Sequence, residues 1–483
     1  MPKTCFKYLT FFILSGLFLF EFNSCAINPV TGKREINLLS QKDEIVLGKQ
    51  SDPAIIAQYG LYDDAKLGAF LNEMGQKMAG ISHRPNLQFH FRVLDSPVIN
   101  AFALPGGYVY FTRGILAHMN SEAEVAGVLG HEIGHVTARH GAKAYTRSQL
   151  AQVGLTATSL ISESMSQISQ IAAQGLGLLF LKFGRDQERQ SDKLGVQYST
   201  TIGYDAGNMA HFFGTLNRLR SEGGSGLPDW QSTHPNPEER EKTTLKLAKE
   251  QQVNSGMQNF QTNREQYLAL IDGLVFGEDP RQGFFENEMF FHPQLNFQFP
   301  VPAGWKTQNS PQLISMVNSD QTAGLQFTIA QVKSAREAAQ KFVADSKAAV
   351  TISNSKRVNG HLAEVRQAQL TTENGTLSIL SYFIEKDGKV YTFHGFSAQE
   401  QFKAHLSSFR RTMDGFNKLL NRQAKQVQPA RVRLVKVPKS ITLEKFLQKH
   451  PSKVLTPEKL AVLNGMELTE TIKAGRKIKI LTK

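Results

Sequence analysis

The sequence predicts an α+β protein: a mainly helical first part with a small sheet, then an α+β module, then a small βααβ unit. Three observations lead there. Helical periodicity surrounds the stretch His131-Glu132-Ile133-Gly134-His135, strand-like runs take over past Phe284, and the last segment reads strand, two short helices, strand. At 483 residues the chain is too long for one ordinary domain. Composition shifts divide it into a signal segment 1–25, a first domain 26–280, a module 284–416, a linker 417–430 and a closing unit 431–483.

The chain opens with Lys3 and Lys7 ahead of the apolar run Leu9 to Phe20, which is short for a transmembrane helix and reads as a secretory signal. Asn23-Ser24-Cys25 fits a lipoprotein processing site in having a small residue before the cysteine, although Phe22 stands where an aliphatic residue is usual. Cys25 is therefore the expected lipidation site, with an uncleaved anchor as the alternative. Cys5 and Cys25 are the only cysteines, so the folded body has neither structural disulfides nor thiol catalysis.

The next element is the helix of the His-Glu-x-x-His stretch, predicted from Ser121 to about Arg139. Ser121 and Glu124 read as a capping box, and Val125, Val128, Leu129, Ile133 and Val136 recur at helical spacing. Residues four apart share a helix face, so His131 and His135 can hold one tetrahedral zinc with Glu132 beside it. An ideal wheel sets the two imidazoles about 115° from the centre of the apolar stripe. That is the edge of the buried face, where a cleft could reach them, and not the core. Gly127, Gly130 and Gly134 each cost the helix up to about 1 kcal/mol relative to alanine, which close packing would explain.

A catalytic zinc needs a third protein ligand and one position left for water. Glu188 is the expected ligand: it lies four residues before Asp192, so one helix can bring both carboxylates to the same place. Asp192 would then accept a hydrogen bond from the second nitrogen of His131. On charge pattern alone the competing reading is a solvated helix face, and the upstream motif decides against it. With one zinc ion in place, Glu132 is the expected general base toward a water attacking a peptide carbonyl. His118, His140 and His211 show no ligand spacing to a second candidate.

Between the two carboxylates and the first helix, Ser148 to Phe183 is Ser/Ala/Gly-rich and then apolar, reading as two helices that cover the core, form a lid or meet an outer-membrane partner. Glu250 to Gly273 looks helical and closes the first domain. In 284–416, Leu295 to Phe299 and Gly375 to Leu380 read as strands around a helix at Ala335 to Ala349, with a second helix after Ser397. A polar linker follows around Asn421 to Pro429. The closing unit starts with the strand Val432 to Val437 and ends with Ile478 to Leu481.

Further stretches accompany the zinc motif: Asn100-Ala101-Phe102-Ala103-Leu104-Pro105-Gly106-Gly107 before it, Gly203-Tyr204-Asp205 after the Glu188 helix, and Thr233-His234-Pro235 with Glu239-Arg240 beyond. Together these span much of Ile36 to Leu245 and resemble the gluzincin family of HtpX-type proteases, CAAX prenyl endopeptidases and periplasmic BepA-type lipoproteins. The resemblance implies that Asn100, Ala101, Phe102 and Ala103 form an edge strand that pairs with the substrate backbone. It implies that His234 lies near the metal, as a donor to the oxyanion or as a fourth, inhibitory ligand, and that Arg240 holds a carboxylate of the site. Cys25 to Lys33 is similar to the mature start of the family's lipoproteins, and the absence of Asp after Cys25 favours the outer membrane. Thr442-Leu443, Leu463-Asn464-Gly465 and Lys473-Ala474-Gly475 resemble a degenerate LysM module, implying peptidoglycan contact, although the usual Gly-Asp before Thr-Leu is missing.

The net charge of +13, concentrated toward Arg410 to Lys483, suits anionic lipid or cell-wall polymer. No nucleic-acid recognition motif accompanies it, so nucleic acid is not an expected partner. The expectation is a periplasmic zinc metalloendopeptidase, lipid-anchored to the outer membrane and acting on misassembled envelope polypeptides. Peptidoglycan and outer-membrane assembly proteins are the further partners that the resemblance implies. The competing class is a chaperone-like or wall-tethering lipoprotein whose zinc site is structural or self-blocked.

Overall fold

The computed structural model describes residues 25–155, 178, 182–221, 230, 234, 237–372 and 375–483. The expected signal segment before Cys25 and most of the expected helices between Ser148 and Phe183 lie outside the described residues. The chain forms two compact units, one of 1–56, 60–277 and 430–483, the other of 57–59 and 278–429.

The first unit begins with the paired strands β1 (Cys25–Ile27) and β2 (Arg34–Ile36), followed by helices α1 (Gln41–Tyr59) and α2 (Ala65–Gly80). Strands β3 (His90–Leu94), β4 (Ala101–Leu104) and β5 (Tyr108–Thr112) make a sheet of order β3-β5-β4, with β3 parallel and β4 antiparallel to β5. That order leaves β4 on the edge. The short helix α3 (Arg113–His118) leads to α4 (Glu122–Thr137), the helix of the His-Glu-x-x-His stretch. Ser121 Oγ accepts from Glu124 N at 3.1 Å, while the Glu124 carboxylate reaches back one residue further than the capping box predicts, to Asn120 N at 2.7 Å. Arg139, at φ 60°, breaks the helix, and α5 (His140–Leu155) sets off from it. Its guanidinium is bonded to Glu44, which also pairs with Arg84 at 2.8 Å.

Helices α6 (Arg185–Thr201), α7 (Gly207–Ser221), α8 (Pro237–Ser255) and α9 (Arg264–Ile271) complete this part, with the short strand β6 (Val275–Phe276). The helix expected over Glu250 to Gly273 is interrupted: Gly256 takes φ 67° and Asn263 φ 49°, and Gln261 bridges to Tyr204 between them. The three glycines of α4 lie at close approaches. A Cβ on Gly127 would stand 2.5 Å from Met209 Cβ in α7, and one on Gly130 would stand 3.0 Å from the Gly195 carbonyl in α6. A Cβ on Gly134 would meet Leu194 Cβ at 3.1 Å. Because helices come this near, every residue of α4 from Ala123 to Thr137 is buried. The wheel placed the histidines at the edge of a buried face, but tertiary packing covers the other face as well, so both lie inside the molecule.

The second unit contains the short strands β7 (Phe284–Glu286), β8 (Met289–His292) and β9 (Phe297–Pro300), then β10 (Lys306–Asn309), β11 (Ile314–Val317) and β12 (Ala323–Ala330). Helix α10 (Ala335–Ser346) and the long strands β13 (Ala349–Val358), β14 (His361–Thr372), β15 (Gly375–Lys386) and β16 (Lys389–Ala398) follow, ending in α11 (Gln399–Asp414) and β17 (Asn417–Lys418). Seven strands form an antiparallel sheet of order β10-β11-β12-β16-β15-β14-β13, and β17-β9-β8-β7 form a second. Asn296, at φ 51°, turns the chain ahead of β9, which shortens the strand expected from Leu295. The stretch expected to be a linker from 417 is folded instead: β17 pairs with β9, and Leu419 and Ala424 are buried against Phe291. Its buried apolar side chains at Leu419 and Ala424 outweigh its polar composition.

The chain returns to the first unit with β18 (Ala430–Lys436), helices α12 (Leu443–Lys449) and α13 (Pro457–Leu463), and a last long strand β19 (Lys477–Thr482). The expected strand, two helices, strand order is present, with a small added pairing of Ile441–Thr442 with Thr471–Ile472. It is not set apart as the sequence boundary at 431 predicts. Strand β18 pairs with β19 on one side and β6 on the other, and Val432, Leu443, Phe446 and Ile478 share one core with Val125 and Val128 of α4. A unit this small gains most of its burial by joining a larger core. Lys479 goes with it: fully buried, it donates from Nζ to the carbonyls of Ala117 (2.8 Å) and Met119 (3.0 Å), capping α3.

Candidate metal centre

Helix α4 presents His131 and His135 on one face, and their Nε2 atoms stand 2.9 Å apart. Helix α6 brings Glu188 opposite, with Oε2 at 3.7 Å from His131 Nε2 and Oε1 at 3.5 Å from His135 Nε2. His234 closes the group, its Nδ1 lying 3.1 Å from Glu188 Oε1 and 3.4 Å from His131 Nε2. One ligand atom from each of these four buried residues lies within 4.8 Å of all the others. Zinc bonds of about 2.0–2.1 Å at tetrahedral angles separate ligand atoms by about 3.3 Å, the middle of these spacings.

Asp192, one turn beyond Glu188 on α6, holds His131 from behind: His131 Nδ1 donates to Asp192 Oδ1 at 2.9 Å, which leaves Nε2 as the lone-pair nitrogen. Arg240 of α8 grips the same carboxylate with Nε (2.9 Å) and Nη2 (2.6 Å), and its Nη1 stands 3.0 Å from Glu188 Oε2. The guanidinium lies over the rings of Phe213 and Trp230, 4.3 and 4.7 Å from their centroids, which fixes its plane. Burial pushes the Asp192 carboxyl upward, but the Arg240 charge and the hydrogen bonds from His131 and Arg240 prevail and hold it down at about 2. Glu188 is likewise lowered against the effect of burial, by His234 and Arg240.

Glu132 differs from these. Both of its carboxylate oxygens are buried with no hydrogen-bond partner among the described residues, and the nearest cationic candidate is His234 Nε2 at 3.7 Å. Burying an unpaired carboxylate is costly. Three buried carboxylates, Glu132, Glu188 and Asp192, thus face one guanidinium among the described residues, that of Arg240. A divalent cation beside Glu188 balances that set, and a polarised water gives Glu132 the partner it lacks, so the donor set fits zinc.

One neighbour carries no sequence signal. His140 is buried with Nδ1 3.1 Å from His135 Nδ1 and Nε2 2.9 Å from Gln190 Oε1. Burial pushes its pKa down to about 4 even though Gln190 favours the charged form, so the ring is neutral near pH 7. It lies past the break at Arg139, where the wheel of α4 no longer applies. His118 bonds the Gly114 carbonyl within its own helix, and His211 is exposed.

Asn100, Ala101, Phe102 and Ala103 run along the edge of the first sheet, and no strand among the described residues pairs with the outer side of β4. A small cleft is lined by Ala103 and Leu104 of that strand, by Pro105 just after it, and by His135, Val136 and Ala142. Phe183 stands over His135 with ring centroids 4.0 Å apart, and Trp230 stacks on His234 at 4.6 Å. At the C-terminal end of α4, Asn28 Nδ2 donates to the Ala138 carbonyl at 3.3 Å, three residues after the pairing of Cys25 with Ile36 begins β1.

Residues 66–248 match Peptidase family M48. The chain is 32% identical over 164 residues to the mitochondrial metalloendopeptidase OMA1 of Arabidopsis thaliana, covering 34% of this chain and 32% of that one. It is 30% identical over 214 residues to the beta-barrel assembly-enhancing protease of Yersinia pestis, covering 42% and 43%. Over 242 residues it is 27% identical to the mitochondrial metalloendopeptidase OMA1 of Schizosaccharomyces pombe, covering 49% of this chain and 70% of the relative. The chain therefore spans less than half the length of the first two relatives. Among the described residues no helix is long and apolar enough to cross a membrane.

Proposed function

We propose that the chain is a zinc metalloendopeptidase in which His131, His135 and Glu188 hold one zinc ion and Glu132 is the catalytic base. The observation that carries the reading is the Glu132 carboxylate, buried without a hydrogen-bond partner among the described residues beside three ligand side chains. Bound zinc would supply Lewis-acid polarisation of a peptide carbonyl and lower the pKa of its water toward about 7. Glu132 then takes the proton of the attacking water and returns it to the leaving amine. Asp192 holds the tautomer of His131, and Arg240 keeps Asp192 and Glu188 ionised and aimed. Strand β4, which ends the order β3-β5-β4, is with Asn100 the proposed seat of an extended substrate backbone, along Asn100 to Ala103.

Polypeptides of the cell envelope are the proposed substrates, in line with the names of the beta-barrel assembly-enhancing relatives. Lipidation at Cys25 after removal of a signal peptide is the proposed anchor to the outer membrane, with the periplasm as the compartment. Outer-membrane assembly proteins, and peptidoglycan through the basic LysM-like segment 431–483, are the proposed partners.

A second reading is favoured by one distance. His234 Nδ1 joins the ligand group and so offers a fourth protein ligand in place of water, a self-blocked site that must open before it cuts. In the open form its ring is available to the oxyanion.

The test uses purified chain loaded with zinc and an unfolded polypeptide as substrate. Cleavage that disappears in Glu132→Gln while zinc content stays at one per chain supports the peptidase. Zinc bound by a wild-type chain that cuts no unfolded substrate, with Glu132→Gln fully functional in cells, would falsify it in favour of a chaperone or tether. If His234→Ala raises cleavage above wild type, the self-blocked reading holds; a fall assigns His234 to the reaction.

A further inference from the structure

We infer that His140 is the positioning residue for His135, holding it in the tautomer that can bind a metal through a hydrogen-bonded chain running Gln190–His140–His135. The inference rests on the metal-site reading above. It starts from an asymmetry: His131 has a carboxylate behind it, Asp192 at 2.9 Å, whereas among the described residues no carboxylate bonds the back of His135. For His135 Nε2 to offer a lone pair beside His131 Nε2, its proton must sit on Nδ1, and a buried Nδ1–H requires an acceptor.

His140 Nδ1 is the atom in place, 3.1 Å from His135 Nδ1. A neutral imidazole accepts at one nitrogen only if it carries its proton on the other. That proton has an acceptor: His140 Nε2 lies 2.9 Å from Gln190 Oε1. Gln190 therefore turns His140, and His140 turns His135. The Ser191 hydroxyl, 3.2 Å from His140 Nδ1, is a rotor that can accept as well as donate, whereas His135 Nδ1 is fixed by its ring. The two rings meet edge-on, centroids 5.0 Å apart at 74°, which is compatible with an in-plane N–H directed at a neighbouring lone pair. Glu188 and Gln190 sit two residues apart on α6, so the helix that brings a ligand to the site also sets the tautomer of another. The two histidines would then differ as donors: a carboxylate partner makes His131 the more basic ligand, and a neutral imidazole leaves His135 the weaker one.

The experiment measures zinc affinity of the full chain by competition with a chromophoric chelator, and reads the absorption spectrum with cobalt in place of zinc. His140→Leu removes the acceptor. His140→Asn keeps an oxygen close to the position of Nδ1. Loss of ligand-orienting hydrogen bonds typically costs about 10- to 100-fold in metal affinity, which is the expected weakening in His140→Leu, with an altered cobalt spectrum. His140→Asn should recover most of the affinity and the wild-type spectrum. Equal affinities for wild type and His140→Leu overturn the inference, as does an Asn variant as weak as the Leu variant, which would make His140 a packing residue. Where His140→Leu fails to fold, Gln190→Met on half-buried α6 surface decides: weaker zinc binding upholds the chain of bonds, and unchanged binding overturns it. A wild-type chain that binds no zinc sinks the metal-site reading itself, and is told apart from failure of the inference by that first measurement.

Discussion

Gly195→Ala tests whether the contact between α4 and α6 sets the geometry of the metal centre. A Cβ at position 195 would lie 2.9 Å from the Gly127 carbonyl oxygen, 3.0 Å from His131 N and 3.3 Å from His131 Cα, all backbone atoms that cannot swing aside. Restoring ordinary contact, which begins at 3.4 Å, parts the two helices by about 0.5 Å, more than the tolerance of about 0.2 Å in metal–ligand distances. Because Glu188 and Asp192 ride on α6 while His131 and His135 ride on α4, the added methyl pulls one ligand away from the other two. Overpacking costs about 1–3 kcal/mol and alanine returns up to about 1 kcal/mol of helix propensity, so the chelated protein should lose about 1–2 kcal/mol. Zinc affinity, read by chelator competition, should fall at least about tenfold. Gly68→Ala is the control: it sits in α2 with nothing within 4 Å of the added atom, and should stabilise slightly without touching zinc binding. A Gly195→Ala protein that melts no lower than wild type and binds zinc as tightly would refute the argument that this backbone contact fixes the site.

In excess chelator, Asp192 should make stability depend on pH at the acid end. Its folded pKa is held at about 2 against an ordinary 3.8, so its contribution is present above pH 3.8 and is lost as pH falls toward 2. That shift corresponds to about 2 kcal/mol, and urea melts of Asp192→Asn should show a correspondingly shallower loss over that window; parallel curves count against it. Arg240→Lys replaces two N–H bonds to Asp192 and a contact with Glu188 by a single point charge, and should weaken zinc binding about tenfold in the competition assay, whereas an unchanged value would make the guanidinium geometry irrelevant. Lys479→Met takes from Glu124, itself pushed up to about 7 by burial, one of the two cations acting on it, leaving Arg264, and removes the donor to Ala117 and Met119. It should cost about 3 kcal/mol by thermal melting, with part recovered in the Lys479→Met/Glu124→Gln double variant; a neutral single substitution would mean the pair does not hold the closing segment to α3 and α4.

Local signals were readable where local physics decides. The cap at Ser121 and the apolar spacing behind it place α4 within two residues of its observed ends, and the i, i+4 spacing of Glu188 and Asp192 is that of the helix the structure shows. Helix propensity penalises Gly127, Gly130 and Gly134, and the structure supplies the compensation as contacts with Met209, Gly195 and Leu194. What stayed hidden depends on partners distant in the chain. The polar flank of α4 gives no sign that α6 and α7 will cover it. His140 follows a residue at positive φ, so no periodicity extends to it, and its partner Gln190 lies fifty residues on. The segments at 417–430 and 431–483 look separable by composition, yet each gives apolar side chains to a core built largely from elsewhere.

The charges of the site explain why so many elements converge on it. A carboxylate serves as a general base only if it is ionised and unencumbered, and Glu132, the proposed base, meets the second condition by having no hydrogen-bond partner among the described residues. That freedom is expensive in a buried place, and the expense rises with each further carboxylate brought in as ligand or orienting group. Arg240 answers for one negative charge by sitting between Glu188 and Asp192, wedged against Phe213 and Trp230 so that its plane cannot turn away. The proposed divalent cation would answer for the other two. With that ion bound, the number of carboxylates would match one guanidinium plus one ion of charge two, and not either alone. A neutral histidine behind His135, in place of a fourth carboxylate, adds no further negative charge for the arginine and the proposed ion to balance.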